Sequence, residues 1–161
     1  MIREATPADE AAIVRLNRES EHFLSPLDRP RLRRLREAAA VCRVVQDDAE
    51  VLAFLLAFRE RADYDSPNYR WFDAALASFL YIDRVVVAGS HRGRGLGAML
   101  YDDVFRIARD MGVAQVTCEF DVEPPNAVSQ RFHSRFGFRE VGSQWVAGGA
   151  KRVSLQAAAT S

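Results

Sequence analysis

Arg92-Gly93-Arg94-Gly95-Leu96-Gly97 has the make-up of an anion site. It follows an apolar run, Phe79 to Val87, that reads as a strand, and it opens a stretch with a helical apolar stripe. A strand that passes through a glycine-rich turn into a helix leaves backbone N–H groups pointing outward, where the helix dipole favours negative charge. Glycine lets the backbone approach a ligand closely and take positive φ without a Cβ clash. Two arginines add permanently charged forks that suit phosphate. The chemistry expected of this segment is the binding of a pyrophosphate.

The elements that must position it can be read from periodicity. Ile2 to Ala5 is a short first strand, and Thr6-Pro7 supplies an N-cap and a proline at the first helical position. Ala11, Ile13, Val14 and Leu16 form the apolar side of a helix to about Asn17. A second helix starts at Ser25-Pro26 or Asp28 and carries Leu32 and Leu35. Val41 to Gln46 and Val51 to Phe58 read as strands joined by a four-residue loop, Asp47 to Glu50. Arg59 to Ala77 is a long polar and aromatic connection, of a length that is usually functional or partly helical.

From Leu96 the positions Met99, Leu100, Val104, Ile107 and Met111 keep helical spacing until Gly112 ends the helix. Val113 to Phe120 is a fifth strand. Asn126 caps a last helix whose stripe is Val128, Phe132 and Phe136, and Gly137 closes it. Phe138 to Val146 and Lys151 to Leu155 complete the strands. This order predicts an α/β (α+β) fold, a mixed sheet of about seven strands flanked by about four helices. One domain is expected over residues 1–156, with a frayed tail at 157–161.

Lys plus Arg and Asp plus Glu balance at 22 each, so no global field favours nucleic acid or an anionic membrane, and anion binding must be local. Cys42 and Cys118 each lie in an apolar stretch and read as reduced core thiols. No Cys or His pair has zinc-ligand spacing, so no metal is expected. The chain starts without the apolar run of a signal peptide and has no run of membrane-spanning length, so the expected location is the cytoplasm.

Three owners of the glycine loop can be weighed. A Walker loop is excluded because no Gly-Lys-Ser/Thr follows. Gly93-x-Gly95-x-x-Ala98 fits a dinucleotide fingerprint, but Glu119 lies too far on for its acidic partner and too little chain follows. The third owner is coenzyme A. Arg92-x-x-Gly95-x-Gly97 resembles the acyl-CoA signature of the GNAT acetyltransferase superfamily. Asn126-x-x-Ser129-x-x-Phe132-His133-x-x-x-Gly137-Phe138 resembles that family's later motif, with His133 where the family usually has tyrosine.

The resemblance implies a mostly antiparallel sheet with two central strands splayed to admit acyl-CoA, and acetyl-CoA as cosubstrate. It implies that Arg92, Gly93, Arg94, Gly95, Leu96 and Gly97 bind the pyrophosphate. Val85, Val86 and Val87 would pair with the pantetheine arm like an added strand, with Asn126, Ser129 and Phe132 beside it. Amide formation from a thioester needs a base for the amine, a donor for the oxyanion and an acid for the leaving thiolate. A strand N–H from Val85 or Val86 could meet the oxyanion.

Asp83 is the first base candidate, because a mid-strand carboxylate is costly to bury without a partner; an ion pair with Arg84 or a neighbouring strand is the competing reading. Glu119, at a strand end, is the second. His133 falls in line with Asn126 and Ser129 at the edge of the helix's buried face, and as an imidazolium it could be the acid. A cap role for Asn126 and a half-buried structural role for His133 stand beside these.

For the acceptor, Phe23, Tyr64, Asp65, Asn68 and Trp71 have the polar and aromatic make-up of a recognition lining. Nearby acids favour a cationic amine, and Arg70 favours an anionic group as well; an amino acid-like acceptor reconciles them. The expected function is transfer of acetyl from acetyl-CoA to a primary amine. That amine belongs to an amino acid-like or polyamine-like molecule, or to a protein N-terminus or lysine. The runner-up is an inactive acyl-CoA-binding module. Assembly as a homodimer is left open.

Overall fold

The computed structural model describes residues 1–21, 24–123 and 125–161. Strands β1 (Ile2–Glu4), β2 (Val41–Asp47), β3 (Glu50–Arg59), β4 (Leu80–Val87), β5 (Gln115–Glu123), β6 (Arg139–Val146) and β7 (Lys151–Ala159) form one sheet in the order β1-β2-β3-β4-β5-β7-β6. Every neighbouring pair is antiparallel except β4–β5. The helices are α1 (Glu10–Arg18), α2 (Arg29–Ala38), α3 (Pro67–Ala75), α4 (Leu96–Asp110) and α5 (Ala127–Arg135).

Alternation along β3 shows how the layers are built. Phe54, Leu56 and Phe58 share a core with Ile13 and Leu16 of α1, Leu32 and Leu35 of α2, and Tyr69 and Phe72 of α3. Ala53, Leu55 and Ala57 point the other way, into a second core with Leu100, Tyr101, Val104 and Ala108 of α4. Successive side chains on a strand take opposite faces, so a strand covered on both reads as one unbroken apolar run. Each fully buried phenylalanine contributes about 2–3 kcal/mol from apolar area alone. Among the described residues no helix is long and apolar enough to cross a membrane.

Several expectations are corrected. The long connection carries α3, with Pro67 in its first turn and the Ser66 hydroxyl accepting the Tyr69 N–H. Tyr69 fixes the segment beneath it, donating its phenol to the Arg59 carbonyl at 2.6 Å and accepting the Ala62 N–H at 2.8 Å. The β2–β3 turn is tighter than four residues, because Asp47 already pairs with Glu50. Residues 157–159 are not a frayed tail; they complete β7, which lies between β5 and β6, and Thr160 donates to the Val113 carbonyl at 2.8 Å. A nine-residue strand inside the sheet is held by ladders on both sides.

Thr6 is, as expected, the N-cap of a short 3-10 turn, Pro7–Asp9, that leads into α1 with Pro7 at its start, and Asp9 closes the cap. The Asp9 carboxylate accepts the Thr6 N–H at 2.8 Å and both terminal nitrogens of Arg3 at 2.7 and 2.8 Å. The Arg3 hydrogen bonds, helped by Thr6 and working against burial, lower the Asp9 pKa to about 2. This stabilisation is therefore present above the ordinary carboxylate range and is lost as pH falls from about 4 through about 2. Asp9→Asn is expected to cost roughly 1–2 kcal/mol in urea unfolding at neutral pH and to show a smaller acid-induced loss than the parent.

Candidate active site

The site arises where the sheet fails to close. β4 and β5 are paired only at Leu80–Val116 and Tyr81–Thr117; beyond Tyr81 no pairing with β5 holds β4. The two strands run on into different partners. β4 leads to the glycine turn and α4, while β5 stays in register with β7 as far as Glu123. The gap is a cavity of about 240 Å³ that brings together Asp83, Glu119 and His133, with Val85, Asn126 and Ser129 in its wall.

A bulge on β4 aims Asp83. Leu56 of β3 faces Arg84 and Ala57 faces Ile82, so Asp83 is the extra residue, and a bulge turns a side chain off the ordinary alternation. Asp83 accepts the Tyr64 phenol at 2.6 Å on one oxygen and the Arg84 Nε–H at 2.7 Å on the other. Arg84 is itself enclosed, donating to Asn17 Oδ1 at 3.1 Å and to Ser25 through both its hydroxyl and its carbonyl. The ion pair foreseen for Asp83 is thus present, inside the cavity wall. Burial and the adjacent Asp83 charge push the Tyr64 phenol well up, so it stays a proton donor.

Glu119 faces Asp83's strand from β5 and accepts the Tyr81 phenol at 2.8 Å. Apart from the cavity it is enclosed by protein. Burial is the main cause that raises its pKa to about 8; the Asp83 charge pushes the same way, while Tyr81 and Asn68 oppose. A carboxyl group poised near neutrality beside an open cavity is suited to exchange protons there.

Of the expected stripe, Phe132 and Phe136 pack against the second core, and Val128 does not. Val128 is 71% exposed, whereas His133 is the buried residue of the helix, with Phe132 and Phe136 half-buried beside it. The Asn126 side chain accepts the Ser129 N–H at 3.2 Å and so caps α5 while lining the cavity. His133 Nδ1 lies 2.7 Å from the Ser129 carbonyl, which can only accept, so Nδ1 carries the hydrogen. His133 Nε2 lies 2.7 Å from the Tyr101 hydroxyl of α4. Burial lowers the His133 pKa against the opposing pull of Ser129, so the ring is neutral at neutral pH and Nε2 accepts from Tyr101.

The glycine loop has the geometry of an anion cradle. Gly93 and Gly95 have φ of +79° and +80°, a region side-chain-bearing residues rarely adopt, and Gly95 is the N-cap of α4. Met99 N–H is bonded to the Gly95 carbonyl, so the N–H groups just before it face outward. Arg92, Gly93, Arg94 and Gly95 are exposed; Leu96 and Gly97 are half-buried. A Cβ on Gly97 would meet the Phe132 ring and Val87 only at ordinary contact, 3.7 and 4.0 Å. Val86 points into the first core; Val85 and Val87 pack toward the second, and their strand edge continues the gap toward the loop.

A second opening shares Leu24, Asp83, Arg84 and Glu119 with the cavity and reaches out to Arg31, Tyr64 and Asp65. The two spaces meet at Asp83, Arg84 and Glu119. Of the acceptor candidates, Tyr64 and Asp65 line this opening, and Asn68 lies by Glu119 and accepts from Gln144 at 2.8 Å. Trp71 does not belong to it. Its indole covers Gly142 of β6 so closely that a Cβ there would clash, because the helical turn of α3 carries it off the Asn68 face. Phe23 lies outside the described residues. Arg70 is exposed and away from both openings; the cation at the mouth is Arg31, 3.5 Å from Asp65 and 6.0 Å from the centre of the Tyr64 ring. Tyr81, Arg84, Tyr101 and Arg31 were not legible as site residues, since only Arg84 adjoins a candidate in sequence.

A mixed sheet that parts at its parallel pair, with an anion loop and helix after one of the parting strands, defines a class of acyl-CoA-dependent transferase. The chain belongs to the Acetyltransferase (GNAT) family, which it matches over residues 10–138. It is 33% identical over 133 residues to L-2,4-diaminobutyric acid acetyltransferase of Streptomyces coelicolor, an alignment covering 82% of this chain and 70% of the relative. Among solved structures, ribosomal-protein-alanine N-acetyltransferase from Brucella melitensis has the same fold, with a TM-score of 0.74 at 20% identity over 99% of each chain. An acetyltransferase from Salmonella typhimurium, solved with its cofactor acetyl-CoA, gives 0.74 at 19% identity over 100% of this chain and 94% of that one. The chain is an acetyl-CoA-dependent N-acetyltransferase.

Proposed function

We propose that this N-acetyltransferase acetylates a primary amine of a small amino acid-like molecule, with Glu119 as the base. The observation that carries the reading is the placement of opposite charges along the second opening. Glu119 and the Asp83–Arg84 pair lie where it meets the cavity, and Arg31, beside Asp65, lies on the lining it does not share with the cavity. A substrate with an ammonium group at one end and a carboxylate at the other fits that gradient, and the similarity to a diaminobutyrate acetyltransferase points the same way.

Acetyl-CoA enters from the opposite side. Its pyrophosphate is held by Arg92 to Gly97, and its pantetheine arm runs along Val85 to Val87 past Asn126, Ser129 and Phe132. The ammonium group surrenders a proton to Glu119, whose pKa of about 8 lies close enough to that of an alkylamine for transfer in either direction. Asp83, neutralised by Arg84, orients the amine. The nitrogen attacks the thioester carbonyl, and a β4 N–H at Val85 or Val86 meets the oxyanion.

Thiol release measured across a panel of amines tests this, with 2,4-diaminobutyrate first, other amino acids next, and polyamines and N-terminal peptides as contrasts. Turnover confined to polyamines or peptides would sink the amino acid reading. Arg31→Ala is expected to raise KM for carboxylated amines by on the order of tenfold, with little change for a carboxylate-free amine. Equal effects on both would remove Arg31 from recognition.

A further inference from the structure

The donor side of the gap holds one pair of proton-bearing groups that the proposed roles leave unused, Tyr101 and His133. Tyr101 is 1% exposed on α4, among Phe132, Phe136 and Phe138, where a phenylalanine would pack as well. A buried hydroxyl in such surroundings needs a partner. It has His133 Nε2, and Tyr101 itself lines the cavity.

His133 is poorly placed to deliver a proton itself. Its Nδ1 hydrogen is committed to the Ser129 carbonyl, and its Nε2, bare in the neutral ring, points at the Tyr101 oxygen. The mobile hydrogen of the pair is the phenol's, which can turn about its C–O bond. The other titratable groups facing Tyr101 are Cys118 and Glu119 of β5. Burial raises both the Tyr101 phenol and the Cys118 thiol well above their usual values, so neither is an anion in the working range.

We infer that Tyr101 is a catalytic residue that hydrogen-bonds the departing sulfur and gives it its proton, with His133 as the positioning residue that holds the phenol at the cavity wall. Both groups line the cavity and neither lines the second opening, which carries Arg31 and Tyr64. The nitrogen–carbon bond forms and the carbon–sulfur bond breaks, its electron pair passing to sulfur. The phenol hydrogen swings from Nε2 to that sulfur as charge collects on it. After attack the nitrogen still carries one hydrogen too many; that second proton passes through cavity water to the phenolate, while the first, taken by Glu119, is released to solvent, so charge and atoms balance. The inference does not depend on which amine is the acceptor.

Tyr101→Phe removes one oxygen and keeps the packing. It is expected to lower kcat at least tenfold with any accepted amine, while acetyl-CoA Kd by calorimetry stays within twofold and Tm within a few degrees. His133→Ala, which frees the phenol without deleting it, is expected to lower kcat by a smaller factor. Three results would overturn the inference. One is a Tyr101→Phe kcat within threefold of the parent. Another is loss of acetyl-CoA affinity in parallel with kcat, which marks a structural pair. The third is a larger kcat loss in a folded His133→Ala than in Tyr101→Phe, which makes the imidazole the donor.

Discussion

Glu119→Gln is expected to lower kcat/KM by on the order of a thousandfold at pH 8.5 and to abolish most of the pH dependence of the reaction. The parent should gain activity as pH rises toward about 8 and level off above it, because only the ionised carboxylate can take the amine's proton. Glutamine keeps an oxygen for the Tyr81 phenol but cannot accept a proton. A residual profile with the parent's shape would transfer the base role to Asp83.

The same substitution has an opposite effect on stability. Folded Glu119 holds its proton to about pH 8, against 4.5 for an unperturbed carboxyl. The folded state therefore binds more protons in that window, and the stability associated with a neutral Glu119 is full below about 4.5 and lost as pH rises through about 8. Thermal melts should show Glu119→Gln close to the parent at pH 5 and more stable at pH 9. Lost activity with gained alkaline stability is the mark of a strained functional group, where a structural residue would lose both.

Arg84→Met is expected to be the most destabilising single change at the site, at about 3–5 kcal/mol. The side chains of Asp83 and Arg84 are only 6% and 4% exposed, so removing the guanidinium leaves a buried carboxylate with Tyr64 alone. It also strips Asn17 and Ser25 of their donor. A loss of that size is a large fraction of a domain's net stability. Urea unfolding of the double variant Asp83→Asn, Arg84→Met should recover much of it, because no charge is then left unpaired. If the single variant unfolds within 1 kcal/mol of the parent, water reaches Asp83 freely and the pair is not the anchor of the gap.

The glycine loop, the cap at Asn126 and the strands of the first core were legible because each is specified by neighbours a few residues away. Positive φ at Gly93 and Gly95 is a property of the turn itself. Asn126 needs only Ser129, three residues on, to serve as a cap. The apolar stripe of α5 holds at Phe132 and Phe136 but not at Val128. Val128 and His133 lie on different sides of the helix, and which side is buried depends on Tyr101 of α4, which offers a hydroxyl as well as a ring. Apolar periodicity cannot register a histidine that is buried because a distant phenol satisfies it.

Trp71 fails as an acceptor residue for a related reason. Composition marks an aromatic as fit for recognition, but the turn of α3 places it over a glycine of the edge strand. Arg31 and Arg70 were equally cationic in the sequence, and only the position of α2 over Tyr64 and Asp65 distinguishes them.

The sequence by itself determined the glycine turn at Arg92 to Gly97 that leads a strand into α4, and two motifs pointed to the acyl-CoA-dependent family. Tertiary structure alone decided what the loop serves. Glu119 meets Tyr81, Asp83 meets Tyr64 and His133 meets Tyr101 across separations of 38, 19 and 32 residues. The bulge that turns Asp83 toward the cavity exists only in its pairing with β3. Donor binding rests on backbone geometry that a short segment can encode. Acid–base chemistry rests on burial and on partners brought from elsewhere in the chain, and those exist only once the sheet has formed and parted.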